Sequence, residues 1–161
     1  MNRRQFLLAT TSVIAAGAAG VATVRMTRPA PDLDTLLAEL SALDPATVRF
    51  RGSWSAFTVF SHLAQSIEYS MTGYPAMKPA LFRHTVGPLA FAAFETAGAM
   101  RHNLAEPIPG APALPADGNV AEALARLTHA LTTFRQWQGP LQPHFAYGAL
   151  SHEEYTAAHL M

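Results

Sequence analysis

The feature that most constrains the fold is a series of apolar residues that recur at helical spacing, with proline or glycine between one set and the next. The first set contains Leu33, Leu36, Leu37, Leu40 and Leu43. This spacing predicts a helix over 32–43, with Asp32 as its N-terminal cap and Pro45 after its end. No segment has the alternating pattern of a strand, and no internal repeat is present. The sequence therefore predicts an all-α fold.

A second helix is predicted to start near Ser53 or Ser55 and to run to about Thr72, before Gly73. Either serine can accept the free amide hydrogens of a first helical turn. The polar residues of this segment form a narrow stripe on an otherwise apolar helix: Thr58, Ser61, Gln65, Glu68 and Thr72. Such a pattern is typical of a helix that is deeply buried in a bundle.

The middle of the chain is divided by proline. Pro79 is suited to the first position of a third helix. Gly87-Pro88 should kink or break that helix, because proline lacks the amide donor and clashes with the preceding turn. We expect a further helical segment over about 88–104, followed by an irregular connection over 105–118, which holds four prolines and two glycines.

Two more helices are predicted from capping boxes, in which a polar cap residue precedes a glutamate by three positions. Asn119 with Glu122 begins one helix, which should end at Gly139-Pro140, and Ser151 with Glu154 begins the last one. Four or five amphipathic helices with one long crossover connection predict a helical bundle.

The charges are distributed unevenly along the chain. Four of its 11 basic residues lie in the first 28 positions, and all 11 acidic residues follow, so residues 29–161 carry a net charge of −4. A mildly acidic domain lacks the basic surface that nucleic-acid binding requires. The chain has no cysteine, so any metal site must use His, Asp or Glu, and seven histidines are available.

The first 28 residues have the pattern of a twin-arginine export signal, in which Arg3 and Arg4 are followed by Phe6 and Leu7. Residues 6–24 carry no charge and are long enough to span a bilayer. An ordinary membrane anchor or a general secretory signal remains the alternative. This pattern predicts a signal segment over 1–28 and a helical bundle domain over 29–161. The predicted partner is the twin-arginine translocase, and the location is the periplasm or the periplasmic face of the inner membrane.

Three histidines are candidates for a functional site. His62 lies in the middle of the second helix, where it could bind a metal ion or hydrogen-bond to a neighbouring carbonyl group. His159 in the last helix could add a second imidazole, or it could face solvent in a frayed turn, and a zinc or nickel site needs about three ligands. His144 lies in an aromatic-rich loop with Tyr147. His84, His102 and His129 are expected at the surface or in packing, and His152, at the first position of its helix, is expected to be solvated.

Four stretches carry a resemblance to a known family: SHLAQSIEYSM at 61–71, TVGP at 85–88, EPIPGAP at 106–112 and PHFAYGAL at 143–150. They resemble the domain of unknown function 1569 family, within the DinB/YfiT-like superfamily. The resemblance implies a four-helix bundle with up-down-down-up topology. It also implies a divalent metal held by one histidine of the second helix and two, four residues apart, of the last helix.

His62 matches the first of these ligands. The paired histidines would fall just beyond Met161, one turn after His159. We therefore expect either that the last helix is cut short or that the chain is a variant that lacks two of the three ligands.

Two functional hypotheses follow. The first is an exported, metal-dependent transferase or hydrolase of DinB-like type, in which His62 binds zinc, nickel or manganese. Ser66, one turn further along the helix, would orient that ligand. The alternative is a non-catalytic periplasmic bundle that binds a partner or a small molecule, with the loop around Phe145 and Tyr147 exposed as its contact surface.

Overall fold

The computed structural model describes residues 32–100 and 106–161. Its regular elements are six helices: α1 (Leu33–Ala42), α2 (Ala56–Thr72), α3 (Ala80–His84), α4 (Val86–Ala97), α5 (Val120–Gln136) and α6 (His152–Leu160). Within these residues no strand forms, which confirms the predicted all-α class. The predicted signal segment, residues 1–28, lies outside the described residues.

The first two long helices begin at the caps that the sequence predicts. The carboxylate of Asp32 accepts the amide hydrogen of Thr35 over 2.8 Å at the start of α1. Of the two serines proposed for α2, Ser55 is the cap, and its hydroxyl accepts the amide hydrogen of Thr58 over 3.1 Å. These bonds satisfy amide groups that have no partner inside the helix.

The capping box of α6 is confirmed, whereas that of α5 has a different geometry. Glu154 donates its amide hydrogen to the Ser151 hydroxyl over 3.1 Å, and the Ser151 amide returns a bond to the Glu154 carboxylate over 2.7 Å. At α5 the Asn119 side chain accepts from the amide of Glu122 but donates to the Glu122 carboxylate through its side-chain nitrogen. Helix α5 ends at Gln136, three residues before the expected glycine.

The break between α3 and α4 lies earlier than predicted. Thr85 (φ −126°, ψ −77°) separates the two helices, and α4 begins at Val86 rather than near Pro88. Pro88 falls in the first turn of α4, where its missing amide hydrogen leaves no helical bond unmade. The helix ends at Ala97, because Gly98 adopts the left-handed conformation with φ 67°. The predicted end near residue 104 was therefore wrong.

Four helices contribute to one apolar core. Helices α2 and α5 pack along each other most extensively, and α1 packs on α5. The core residues come from α1, α2, α5 and α6: Leu33, Leu40, Phe60, Ala64, Ile67, Met71, Ala123, Leu124, Leu127, Ala130, Leu131, Phe134 and Tyr155. Burial of these side chains is the main source of stability, since each large one removes apolar area from water.

Exposed ion pairs join α5 to its two neighbours. Arg126 contacts both carboxylate oxygens of Glu68 on α2, over 2.8 and 2.5 Å, and Arg135 pairs with Asp34 on α1. Surface pairs of this kind contribute about 0–1 kcal/mol each. They therefore contribute little to the stability of the domain.

The connection over 106–118 is anchored to the start of α2. The hydroxyl groups of Ser55 and Thr58 donate to the Ala116 carbonyl over 2.7 and 3.0 Å. The side chain of Ile108 is buried. Among the described helices, none is long and apolar enough to cross a membrane. The uncharged segment 6–24 lies outside the described residues.

Helix α4 lies directly against the backbone of the loop that follows α5. A Cβ atom at Gly87 would collide with the carbonyl oxygen of Ala146. In an ordinary helix, Gly→Ala stabilises by about 1 kcal/mol, but overpacking against backbone costs about 1–3 kcal/mol. We expect Gly87→Ala to lower the free energy of unfolding, as measured by urea denaturation. A higher free energy of unfolding in Gly87→Ala would contradict the close approach of Gly87 to the Ala146 carbonyl.

Candidate functional site

The loop over 141–150 is hydrogen-bonded to the end of α2 and to the segment after it. The amide of Gln142 donates to the Ser70 carbonyl over 2.8 Å, and the amide of Lys78 donates to the Phe145 carbonyl over 2.9 Å. These bonds hold the loop on the domain near its start and at its middle. The loop around Phe145 and Tyr147, which was predicted to be an exposed contact surface, is therefore only partly exposed, and Phe145 is half-buried.

His144 is a structural centre of this loop. It is only 8% exposed, and its Nδ1 accepts the amide hydrogens of Ala146 and Tyr147 over 3.1 and 3.2 Å. Its backbone exchanges two hydrogen bonds with Gly148, over 2.7 and 3.2 Å. Because Nδ1 accepts two bonds, the proton of the neutral ring must lie on Nε2.

Aromatic rings surround the imidazole of His144. The Tyr147 ring is stacked on it at a centroid distance of 4.3 Å, and the Phe145 ring lies at 4.5 Å. The rings of Tyr74 and Tyr155 lie at 5.0 and 6.2 Å. Burial, with a smaller contribution from nearby His159, lowers the pKa of His144 to about 3. The ring is therefore neutral at physiological pH.

Two phenol groups in this region donate to main-chain carbonyl groups. Tyr155 donates its hydroxyl hydrogen to the Gln142 carbonyl over 2.7 Å, and Tyr74 donates to the Ser66 carbonyl over 3.3 Å. Burial raises the pKa of Tyr74 to about 12 and raises the pKa of Tyr155 as well. Ser66 thus contacts this group of rings through its backbone.

His159 faces the same group of rings from α6. Its ring lies 4.8 Å from Phe134, in an edge-on arrangement, and 5.6 Å from Tyr155. Its Nε2 is buried and has no hydrogen-bond partner among the described residues. Burial lowers the pKa of His159 to about 4, and the neighbouring His152 contributes. The alternative of a solvent-facing histidine in a frayed turn was therefore wrong.

We call these residues the histidine–aromatic cluster: Tyr74, Phe134, His144, Phe145, Tyr147, Tyr155 and His159.

His152 connects the cluster to an open groove. Its ring is stacked on Phe134 at 4.5 Å, and its Nε2 lies 3.1 Å from the Phe134 carbonyl oxygen. The groove has a volume of about 510 Å³, and its walls include Trp137, Leu141 and His152. His152 was expected to be solvated, and it is exposed, but one face of its ring packs on Phe134 in the core.

His62 lies in a different aromatic pair. It is half-buried on α2, and its ring is edge-on to Trp54 at 5.0 Å. His159 instead contacts Phe134 and Tyr155. The two predicted metal ligands therefore have different ring neighbours.

The described side chains do not form the three-ligand metal site that the resemblance implies. Across residues 32–100 and 106–161, no three His, Asp or Glu side chains lie close enough together to hold a metal ion. His84 and His129 are exposed, as expected, and His102 lies outside the described residues.

The fold and the site define a class of protein: an all-helical domain with neutral, buried imidazoles among aromatic rings at one end of its core. The chain belongs to the family described as "Protein of unknown function (DUF1569)", whose model matches residues 23–161. No curated protein and no solved structure matches the chain.

Sequence reasoning identified four members of the cluster and missed others. His144, Phe145, Tyr147 and His159 were candidates, whereas Tyr74 and Tyr155 were not. Tyr155 is the only fully buried residue of α6, and it comes one turn before His159. This spacing was the available signal, since residues four apart share one face of a helix.

The two buried imidazoles should make the domain sensitive to acid. Their folded pKa values, about 4 for His159 and about 3 for His144, lie below the value of 6.5 for a free histidine. The unfolded chain therefore binds protons that the folded chain does not. The contribution of each neutral imidazole to the free energy of unfolding is largest above pH 6.5 and is lost as the pH falls toward its folded pKa. Between pH 7 and pH 5, each imidazole should lower the free energy of unfolding by about 2 kcal/mol.

We expect His159→Phe to lose about half of this pH dependence, as measured by urea denaturation at both pH values. His129→Phe, on the exposed face of α5, is the control and should keep the full dependence. An unchanged slope in His159→Phe would show that its imidazole titrates normally in the folded state.

Proposed function

We propose that this protein is an exported helical domain that binds a small, uncharged aromatic molecule and has no catalytic activity of its own. The ligand would lie between the groove at Trp137 and the histidine–aromatic cluster. The observation that carries the proposal is the buried Nε2 of His159, which has no hydrogen-bond partner among the described residues.

An unpaired polar atom in a core is costly. Leaving one buried without a partner destabilises a protein by about 1–3 kcal/mol, and nearly all such atoms in folded proteins are satisfied by protein groups or by ordered water. A hydrogen-bonding group of a ligand would remove this cost. Binding would then stabilise the folded state, because the ligand would supply the hydrogen bond that His159 lacks in the free domain.

The chemistry of the surrounding groups favours an uncharged ligand. The imidazoles of His144 and His159 are neutral near pH 7, and the phenols of Tyr74 and Tyr155 keep their protons. Stacked and edge-on rings favour a planar, apolar partner. An aromatic molecule with one hydroxyl or amide group meets both conditions, and Trp137 in the groove adds a further ring.

Phenol and toluene form a matched pair of probes that differ by one hydroxyl group. We expect phenol to bind about five-fold more tightly than toluene, because a neutral hydrogen bond contributes about 1 kcal/mol. Binding should shift the imidazole nitrogen resonances of His152 and His159 in a ¹H–¹⁵N spectrum. The exposed rings of His84 and His129 serve as internal controls.

His159→Phe should remove the preference for phenol while keeping the domain folded, and His129→Phe should retain it. Equal affinities for phenol and toluene in the unchanged protein would contradict the proposed role of His159. Resonance shifts confined to His84 and His129 would place the binding elsewhere.

A second candidate is the metal-dependent transferase or hydrolase of DinB-like type, with an up-down-down-up bundle. The neutral His159 supports it, because only an unprotonated imidazole nitrogen can bind a metal ion. His62 would be a further ligand and Ser66 its neighbour. The same protein samples test this reading by analysis of bound zinc, nickel and manganese.

Stoichiometric metal that is lost in His62→Ala and kept in His129→Ala would favour the enzyme over the binding domain. A well-folded protein without metal that still prefers phenol would support the binding domain.

Export by the twin-arginine translocase is the other part of the proposal. Its support is the pair Arg3 and Arg4 before Phe6 and Leu7, and residues 6–24 would leave the domain in the periplasm or anchored to the inner membrane. Replacing both arginines by lysine should retain the protein in the cytoplasm, as measured by cell fractionation. Arg25→Lys and Arg28→Lys are the controls and should leave export unchanged. Normal export of the Arg3→Lys, Arg4→Lys variant would indicate another route.

A further inference from the structure

Helix α4 has an apolar face that no other part of the described chain covers. Its buried residues are Gly87 and Phe91, which lie on one side. Leu89, on the opposite side, is 73% exposed, and Val86 is 53% exposed. Ala92, Ala93 and Thr96 are exposed as well, and Glu95 is the single charged residue of this helix. A surface helix usually carries several polar and charged residues on its outward face, so α4 is unusually apolar for its exposure.

The segment before α4 also carries exposed apolar residues. Leu81 in α3 is 77% exposed, and Met77 is exposed as well. Single exposed apolar residues are ordinary, but a group of large ones within a short segment marks an interaction site. Four large apolar side chains of this kind lie within 13 residues, from Met77 to Leu89.

Positive charge accompanies this surface. Lys78 and Arg83 lie among the exposed apolar residues, and no acidic residue occurs between Glu68 and Glu95. This is unusual in a domain whose net charge after residue 28 is −4. Within the described residues, the ion pairs are formed by Arg126 and Arg135 instead.

The contacts of the two cations leave their charges available. The Lys78 ammonium lies 5.5 Å from the centre of the Phe82 ring, and the Arg83 Nε donates to the Lys78 carbonyl over 3.0 Å. Neither contact is with a carboxylate. Both cations can therefore interact with negative charge outside the domain.

We propose that the α3–α4 face, made of Met77, Lys78, Leu81, Arg83, Val86 and Leu89, docks on an anionic lipid surface. Apolar side chains that enter the headgroup region, next to basic residues that contact lipid phosphates, are the two elements of interfacial binding. This inference does not depend on the ligand of the histidine–aromatic cluster.

The charges argue against a second copy of this chain as the occupant. A two-fold contact would place the face against itself and bring Lys78 and Arg83 close to the same cations of the other copy. Like charges across an interface oppose association. An anionic membrane instead complements both the apolar residues and the cations.

The absence of cysteine in the chain allows one fluorescent label at a chosen position. Leu89→Cys, labelled with an environment-sensitive fluorophore, reports contact at the α3–α4 face in the full-length protein. Ser41→Cys, at an exposed position of α1, is the matched control. Each is titrated with vesicles of phosphatidylglycerol and phosphatidylcholine, and with vesicles of phosphatidylcholine alone.

We expect a blue shift at position 89 with the anionic vesicles and none at position 41. Adding Lys78→Gln and Arg83→Gln should raise the lipid concentration at half-maximal shift by about thirty-fold, because each cation near such a surface strengthens binding about five-fold. Circular dichroism confirms that each variant is folded.

Three results would overturn the proposal. One is no shift at position 89, and another is an equal shift at both positions, which would arise if the N-terminal segment alone held the protein on the vesicle. The third is a shift that grows with protein concentration without lipid, which would assign the face to contacts between copies.

Discussion

The burial of Phe134 at the end of α5 supports both the core and the candidate site. Its side chain is fully buried, and its ring contacts His152, Tyr155 and His159. Truncation of such a residue typically costs about 3–5 kcal/mol. At this position it would also remove the wall against which both α6 histidines pack. The packing that stabilises the domain therefore also holds the imidazoles in place.

The helices and their caps could be predicted because their causes are local. Asp32 and Ser151 cap their helices through atoms three residues away, and apolar spacing identifies the core face of α1. The break at Thr85 could not be predicted in the same way. Pro88 is compatible with a helix that starts before it, with the proline in the first turn, and with a helix that starts after a break at the proline. The packing of α4 against the loop favours the first arrangement.

The site was predicted less completely, because it depends on contacts between distant segments. His144 was singled out as a loop residue, but its burial follows from Tyr74, seventy residues earlier in the chain. The composition of the loop does not reveal that its imidazole accepts two amide hydrogens. The metal ligands implied by family resemblance remain predictions, since such a resemblance carries residue types and not their geometry in this chain.

The absence of a side chain at Gly87 has a mechanical consequence. Helix α4 meets the loop backbone at Ala146 directly, and the Ala146 amide is one of the two donors to His144. Side chains can absorb a small displacement by changing rotamer, but two touching main chains cannot. A shift of α4 relative to the core would therefore be transmitted to the imidazole of His144, so that the outer helix and the interior rings move as a coupled pair.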